Sequence, residues 1–235
     1  MNVFSHPAFF DTFRHAAIIA GKDLRAELRT KESFNAALAF SATILILFSF
    51  AIDPFSETLR EISGGLLWIV FAFAGALVLN RSFAREQAND CLDVLLASPA
   101  SGAALFLGKA FANYVLILLV ELIALIIFAF LYGMNLTANP PLLAAVVALA
   151  TWGMTVIGTI FSALTVNLRI RELMLPVLVY PMLIPALMSA MKLTTLLLSA
   201  ATFTAGDWLW FRLLIGFDII FTALALALVD SILVG

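Results

Sequence analysis

The chain has 235 residues, 63% of them hydrophobic and 12% charged, with a formal net charge of −2. Soluble domains hold about a quarter charged residues and about half apolar ones, so a soluble core is excluded as the destination of this much apolar surface. That net charge says nothing about nucleic acid, but no basic stripe interleaved with aromatics exists to track phosphates, and the single cysteine, Cys91, excludes an internal disulfide.

Residues Pro7–Lys31 come first. Phe9, Phe13, Ala16, Ala17, Ala20, Leu24 and Leu28 recur at helical spacing, while Arg14, Lys22, Arg25 and Arg29 fall largely off that stripe. Such a helix suits the membrane interface, apolar side down; the alternative is a helix packed on a partner protein. It carries acids as well as bases, with no short apolar core before a small-residue cleavage site, so no cleavable signal peptide is expected. Residues 1–34 are read as this interfacial segment and 35–235 as one transmembrane domain.

Six apolar runs follow, at Asn35–Ile52, Gly64–Leu79, Phe111–Tyr132, Leu142–Val166, Leu173–Met191 and Leu213–Val234. Their lengths approach the roughly 20 residues needed to cross the hydrocarbon, and their lack of strand-like alternation selects helices over a barrel. Lysine and arginine set the orientation. Arg14, Lys22, Arg25, Arg29 and Lys31 precede the first span, Arg81, Arg85 and Lys109 flank the loop after the second, and Arg169 and Arg171 separate the fourth from the fifth. The other side holds only Arg60, Lys192 and Arg212. Both termini are therefore expected in the cytoplasm, with extracytoplasmic loops at Asp53–Ser63, Gly133–Pro141 and Lys192–Arg212. Trp208 and Trp210 suit an interfacial belt.

The loop Arg85–Pro99 carries Ala88, Cys91, Leu92, Leu95 and Leu96 on one helical face and Glu86, Asn89, Asp90 and Asp93 on the other. A short amphipathic helix stopped by Pro99 is expected, either a lever driven by a separate motor or a simple connection between two spans. Glu121 lies near the middle of the third span, where a carboxylate costs several kcal/mol unless protonated, paired or facing water. It is either functional or a neutral acid hydrogen-bonded between helices. In the fourth span, Thr151, Thr155, Gly158, Thr159 and Ser162 form a small-residue face suited to close packing. The fifth span contains Pro176, Pro181 and Pro185, which predict a bent or broken helix, either a hinge or cavity wall or a static kink. Asp218 and Asp230 in the last span are weaker candidates.

Gly102 to Lys109 resembles a phosphate-binding loop, but the glycine spacing is too long and Ala110 stands where Ser or Thr should bind magnesium, so no nucleotide site is expected. His6 and His15 lack metal-ligand spacing, and no serine or cysteine has a nearby histidine to activate it. The chain reads as a non-enzyme. Met174, Met182, Met188 and Met191 suit gap-filling in a helix bundle, with contact to haem or another soft ligand as the alternative.

The stretches KDLRAELRTKE (Lys22–Glu32), RSFAREQANDCLDVLLASP (Arg81–Pro99), LGKAFANYV (Leu107–Val115), RELMLPVLVYPMLIP (Arg171–Pro185) and FDIIFTALAL (Phe217–Leu226) together resemble the cytochrome c maturation permease family CcmB, or haem exporter protein B. The resemblance runs from about Lys22 to the C-terminus. It departs at Asp90–Cys91, where an acid followed by glycine is expected.

The resemblance implies the membrane subunit of an ABC-2-type exporter in a bacterial cytoplasmic membrane, with six transmembrane helices and a cytoplasmic coupling helix. It also implies partners: a separate ABC ATPase subunit that supplies the ATP site, a haem-handling membrane protein and its small membrane companion. The system serves attachment of haem to c-type cytochromes, and this subunit either moves haem or transmits ATP energy to release a haem-loaded chaperone. On that reading Glu86, Asp90 and Asp93 meet the ATPase, Arg85 anchors the coupling helix, Pro176, Pro181 and Pro185 permit bending, and two copies enclose the path. Two rivals stand beside it: a motor-independent carrier or channel centred on Glu121, and a non-transporting scaffold of the haem machinery.

Overall fold

The computed structural model describes residues 9–53, 56–82, 101–136, 139–165, 171–199 and 203–234. These residues form seven helices and no strand: α1 (Phe9–Thr30), α2 (Glu32–Ala51), α3 (Glu57–Leu79), α4 (Gly102–Tyr132), α5 (Pro140–Thr165), α6 (Arg171–Leu198) and α7 (Asp207–Val234). Each helix from α2 to α7 holds a stretch long and apolar enough to cross a membrane. The all-α, six-span architecture expected from composition is the one observed, and the chain is a multi-pass membrane protein.

Several helices begin well outside their apolar runs. The α3 helix starts at Glu57 rather than Gly64 because the Ser56 hydroxyl accepts from the Leu59 N–H at 3.2 Å, satisfying one of the free donors of the first turn. Ser101 does the same for Ala104 at 3.2 Å, so α4 opens at Gly102 instead of Phe111. At its far end Gly133 takes φ 61°, a left-handed conformation that glycine adopts without a Cβ clash. The 31 residues of α4 make it roughly 46 Å long at about 1.5 Å per residue, against roughly 30 Å of hydrocarbon, so it projects beyond the membrane core. The α6 helix runs past Met191 to Leu198, and α7 starts at Asp207, whose carboxylate accepts from the Thr204 N–H (2.7 Å) and hydroxyl (2.6 Å). The expected loops shrink accordingly, leaving 52–56, 133–139 and 199–206 between helices.

The α3 and α5 spans are the most enclosed, while α2 and α7 lie at the periphery. Trp68, Tyr132, Phe71, Phe106 and Phe128 are the largest apolar side chains closed off completely or nearly so. Tyr132 donates to the Leu45 carbonyl at 2.7 Å, tying α4 to α2. The α3 and α6 helices meet closely. Gly64 donates its N–H to the Thr195 hydroxyl at 3.1 Å, and the Trp68 indole donates to Thr194 at 2.9 Å. Further along, Tyr180 donates to the Ala72 carbonyl at 3.3 Å and sets its ring edge-on to Phe73.

All three prolines lie inside α6, which is continuous in secondary structure from Arg171 to Leu198; the broken helix anticipated as one outcome is not what forms. Pro181 and Pro185 face away from the bundle, opposite the buried Val179, Leu183, Ala186 and Ala190. Their missing donors are thus on the outer face, away from the other helices. Met182 and Met188 share that exposed surface, so they do not fill gaps within this chain.

The N-terminal helix differs from the simple interfacial reading. Only part of its apolar stripe is free for lipid: Ala16 and Ala20, with Ile19, are buried against α4, whereas Phe13 and Leu28 stay exposed. The chain then turns into α2 at Lys31, with φ 55°. Glu27, almost fully buried, accepts from the Phe34 N–H at 2.9 Å and so caps the first turn of α2.

Candidate functional site

A polar seam runs between α4 and α5, and it begins where the chain enters and leaves residues 83–100. Lys109 is fully buried. Its ammonium donates to the Asp23 carboxylate of α1 at 3.2 Å and to the Ser82 carbonyl at 2.8 Å. The helix α1 can come this near because position 108 is glycine. A methyl group there would lie 2.7 Å from the Ala16 carbonyl oxygen and 2.8 Å from the Ile19 Cβ. Burying an ammonium is costly unless a carboxylate and further acceptors compensate, and Asp23 with Ser82 supply both.

One helical turn on, Asn113 donates to the Ser82 hydroxyl at 2.8 Å and to Thr159 of α5 at 3.1 Å. Ser162 donates to the Leu79 carbonyl at 2.9 Å, and Gly158 makes room for the Leu79 side chain. The end of α3 is therefore held by both α4 and α5. Ser101, capping α4, fixes the other stem of the 83–100 segment.

Deeper in the bundle, Thr151 donates to Glu121, whose second carboxyl oxygen has no partner among the described residues. Glu121 is completely buried, and Thr155 returns its hydroxyl to the Thr151 carbonyl at 2.6 Å. The Asn113–Thr159 and Glu121–Thr151 rungs are eight positions apart on each helix, the spacing of an antiparallel pair in fixed register. A slide of one residue would break both rungs. The small-residue face of α5 is thus more than a packing surface: Thr151 and Thr159 supply the rungs, and Ser162 holds α3.

A second polar spot lies between α5 and α7. Asp218 is buried, with neither carboxyl oxygen partnered among the described residues, and glycine at 153 leaves it space: a Cβ there would sit 2.6 Å from its Oδ1. Nearby, Trp152 donates to Thr222 at 3.0 Å and stacks edge-on with Tyr114. Among the described residues no three His, Cys, Asp or Glu side chains gather as metal ligands would. Gly102 to Lys109 is the opening of a helix, and its lysine is engaged by Asp23 and Ser82.

Of the residues singled out from sequence, Glu121 stands within this seam. The prolines of α6 are not brought to it. Arg85, Glu86, Asp90, Asp93 and His6 lie outside the described residues, and Asp230 belongs to α7 without a described side chain. Sequence reasoning missed Lys109, Asn113, Asp23 and Ser82. The signal was present: positions 109, 113 and 121 repeat at multiples of four along α4, one face of a helix.

The whole bundle finds relatives. The chain is 33% identical over 176 residues to the Heme exporter protein B of Rhodobacter capsulatus, a match covering 74% of this chain and 80% of that protein. The Paracoccus denitrificans protein of the same name is 31% identical over 166 residues, 71% of this chain and 76% of its own. The Pseudomonas aeruginosa one is 27% identical over 219 residues, 93% and 97% respectively. The family described as CcmB protein matches residues 14–233, from the first turns of α1 to the end of α7. With α2 to α6 wholly inside that match and most of α1 and α7 as well, the chain belongs to the CcmB protein family.

Proposed function

We propose that this chain is the membrane subunit of a haem-export complex serving cytochrome c maturation, driven by ATP hydrolysed on a separate subunit. Residues 83–100 form its cytoplasmic coupling element, with Arg85 at the headgroups and Glu86, Asp90 and Asp93 against the ATPase. Both termini lie in the cytoplasm, residues 1–34 form an interfacial segment, and two copies join a haem-handling membrane protein and its small companion. The relatives' name, Heme exporter protein B, supports the substrate class.

The observation that carries the coupling reading is the anchorage of the 83–100 stems. Ser82 is gripped by Lys109 and Asn113, and Ser101 caps the same helix that holds them. A push on this segment reaches α4, and through its rungs α5, as rigid-body movement rather than being lost in a loose loop. Polar rungs in a fixed register are contacts that can pass such a push from one helix to the next. Whether the cargo is haem itself or a haem-loaded chaperone, the same lever serves.

One experiment with the intact complex in lipid tests this. Asp90→Lys with Asp93→Lys lowers the membrane-stimulated ATPase rate and c-type cytochrome production together, while the subunit still accumulates in the membrane. Full cytochrome production in that variant removes the coupling role of these acids. An ATPase rate that this subunit never stimulates favours the scaffold. The buried, half-unpartnered carboxyl of Glu121 favours the carrier reading, so Glu121→Gln is assayed beside it. The coupling account predicts near-normal output from Glu121→Gln, since an amide still accepts from Thr151; abolished output would transfer the function to that carboxyl.

A further inference from the structure

Between α1 and the α4–α5 pair lies a cleft of about 400 Å³ whose walls include Phe13, Ala17, Gly21 and Leu24 of α1, Phe111 of α4 and Trp152 of α5. That volume is within the roughly 300–1,000 Å³ of small-molecule sites. The lining is almost wholly apolar. On α1, Phe13, Ala17, Gly21 and Leu24 follow one another at steps of four, four and three, a lane along one side of the helix. Eleven positions at about 1.5 Å each give it a length of roughly 16 Å, long and narrow rather than round. Phe111 forms part of the opposite wall and is half-exposed, so the cleft opens to the surroundings of the helices.

Two arginines stand at its rim, one at each end. Successive residues turn by about 100° on a helix, which sets Arg14 and Arg25 immediately beyond the outer edge of the Phe13–Leu24 lane. Both are exposed, and among the described residues neither has an ion-pair partner. Arg14 has the exposed Asp11 three residues before it on the same helix, whereas the acids nearest Arg25 are engaged elsewhere: Asp23 faces Lys109 and Glu27 caps α2. An elongated apolar slot with the unpaired Arg25 guanidinium at one end is complementary to a fatty chain carrying a negative head.

We propose that this cleft is a binding site for one anionic phospholipid, its acyl chain lying along α1 and its phosphate held by Arg25 at the Leu24 end of the lane. The site is independent of the coupling reading. It explains why the apolar stripe of α1 is divided, with Ala16 and Ala20 packed on α4 and the Phe13 side left open. Bound lipid completes the seat of α1 against α4, beside the Lys109–Asp23 contact.

The test uses the full chain purified in mild detergent and exchanged into nanodiscs of phosphatidylcholine with or without phosphatidylglycerol, with lipids retained on detergent release counted by native mass spectrometry. Wild type keeps one phosphatidylglycerol per chain, preferred over phosphatidylcholine by about fivefold, the scale of one cationic side chain at an anionic surface. Gly21→Leu plugs the slot. A Cβ at that position meets nothing within 4 Å, and the change removes a poor helix former, so the variant folds and loses the retained lipid. Arg25→Gln keeps a lipid but loses the headgroup preference, and Arg14→Gln keeps both. Equal retention of the two lipids by wild type overturns the proposal. So does a preference that survives in Gly21→Leu, or release of the lipid by an equal concentration of haem.

Discussion

Lys109 concentrates much of the polar energetics of this molecule in one side chain. Its ammonium has no exposure at all, while its carboxylate partner Asp23 retains some. Removing one member of a buried pair leaves an uncompensated charge and costs about 3–5 kcal/mol, whereas replacing both with apolar groups is often nearly neutral. Asp23→Ala is therefore expected to lower the melting temperature in detergent sharply, and Asp23→Ala combined with Lys109→Met to recover most of that loss. Equal damage from the single and double variants would mean that Lys109 depends on Ser82 rather than on Asp23. This residue shows why the seam was hard to read in the sequence. Lys109 counts as a positive charge flanking a loop when only its neighbours in the chain are considered. Its partners, Asp23 and Ser82, lie 86 and 27 positions away. Glu121 was legible because a lone acid in an apolar run stands out whatever its partner; the identity of that partner, Thr151, was not.

Among the helices, the α3–α6 contact depends on the absence of a side chain. A methyl at Gly64 would meet the Met191 carbonyl oxygen and lie 2.8 Å from the Thr195 backbone nitrogen, both rigid parts of a helix. Neither can move without the whole helix moving. Gly64→Ala is expected to force the helices apart and destabilise the bundle by about 1–3 kcal/mol, the usual cost of overpacking, visible as a lower melting temperature with the Trp68–Thr194 bond weakened. An unchanged melting temperature would show that α6 can shift freely on α3. The six spans were legible because apolar length is a property of each segment alone. Their ends were not: Glu57, Arg60 and Glu61 look like loop, yet the Ser56 cap draws them into α3, and Lys192 is carried in α6. Charged residues at a membrane helix end can extend past the hydrocarbon, so hydropathy marks the membrane boundary and capping marks the helix boundary. The prolines of α6 were visible in the sequence, but their placement on the outer face depends on which side packs against α3.

For the molecule as a whole, the seam links three places that are distant in sequence: the N-terminal helix, the stems of the 83–100 segment and the buried Glu121. The stems of that segment are anchored to the longest helix among the described residues, which is what the proposed coupling to α4 and α5 requires. This account requires residues 83–100 to be on the cytoplasmic side, where an ATP-hydrolysing partner can reach them. Cys91 lies within the segment and is the chain's single cysteine, so the native protein is its own probe. The most direct measurement is labelling of Cys91 with a membrane-impermeant maleimide, in intact spheroplasts and in inside-out vesicles stripped of peripheral subunits. The coupling account predicts labelling in the stripped vesicles, its suppression when the ATPase subunit is added back, and none in spheroplasts. Labelling of Cys91 in intact spheroplasts would contradict it.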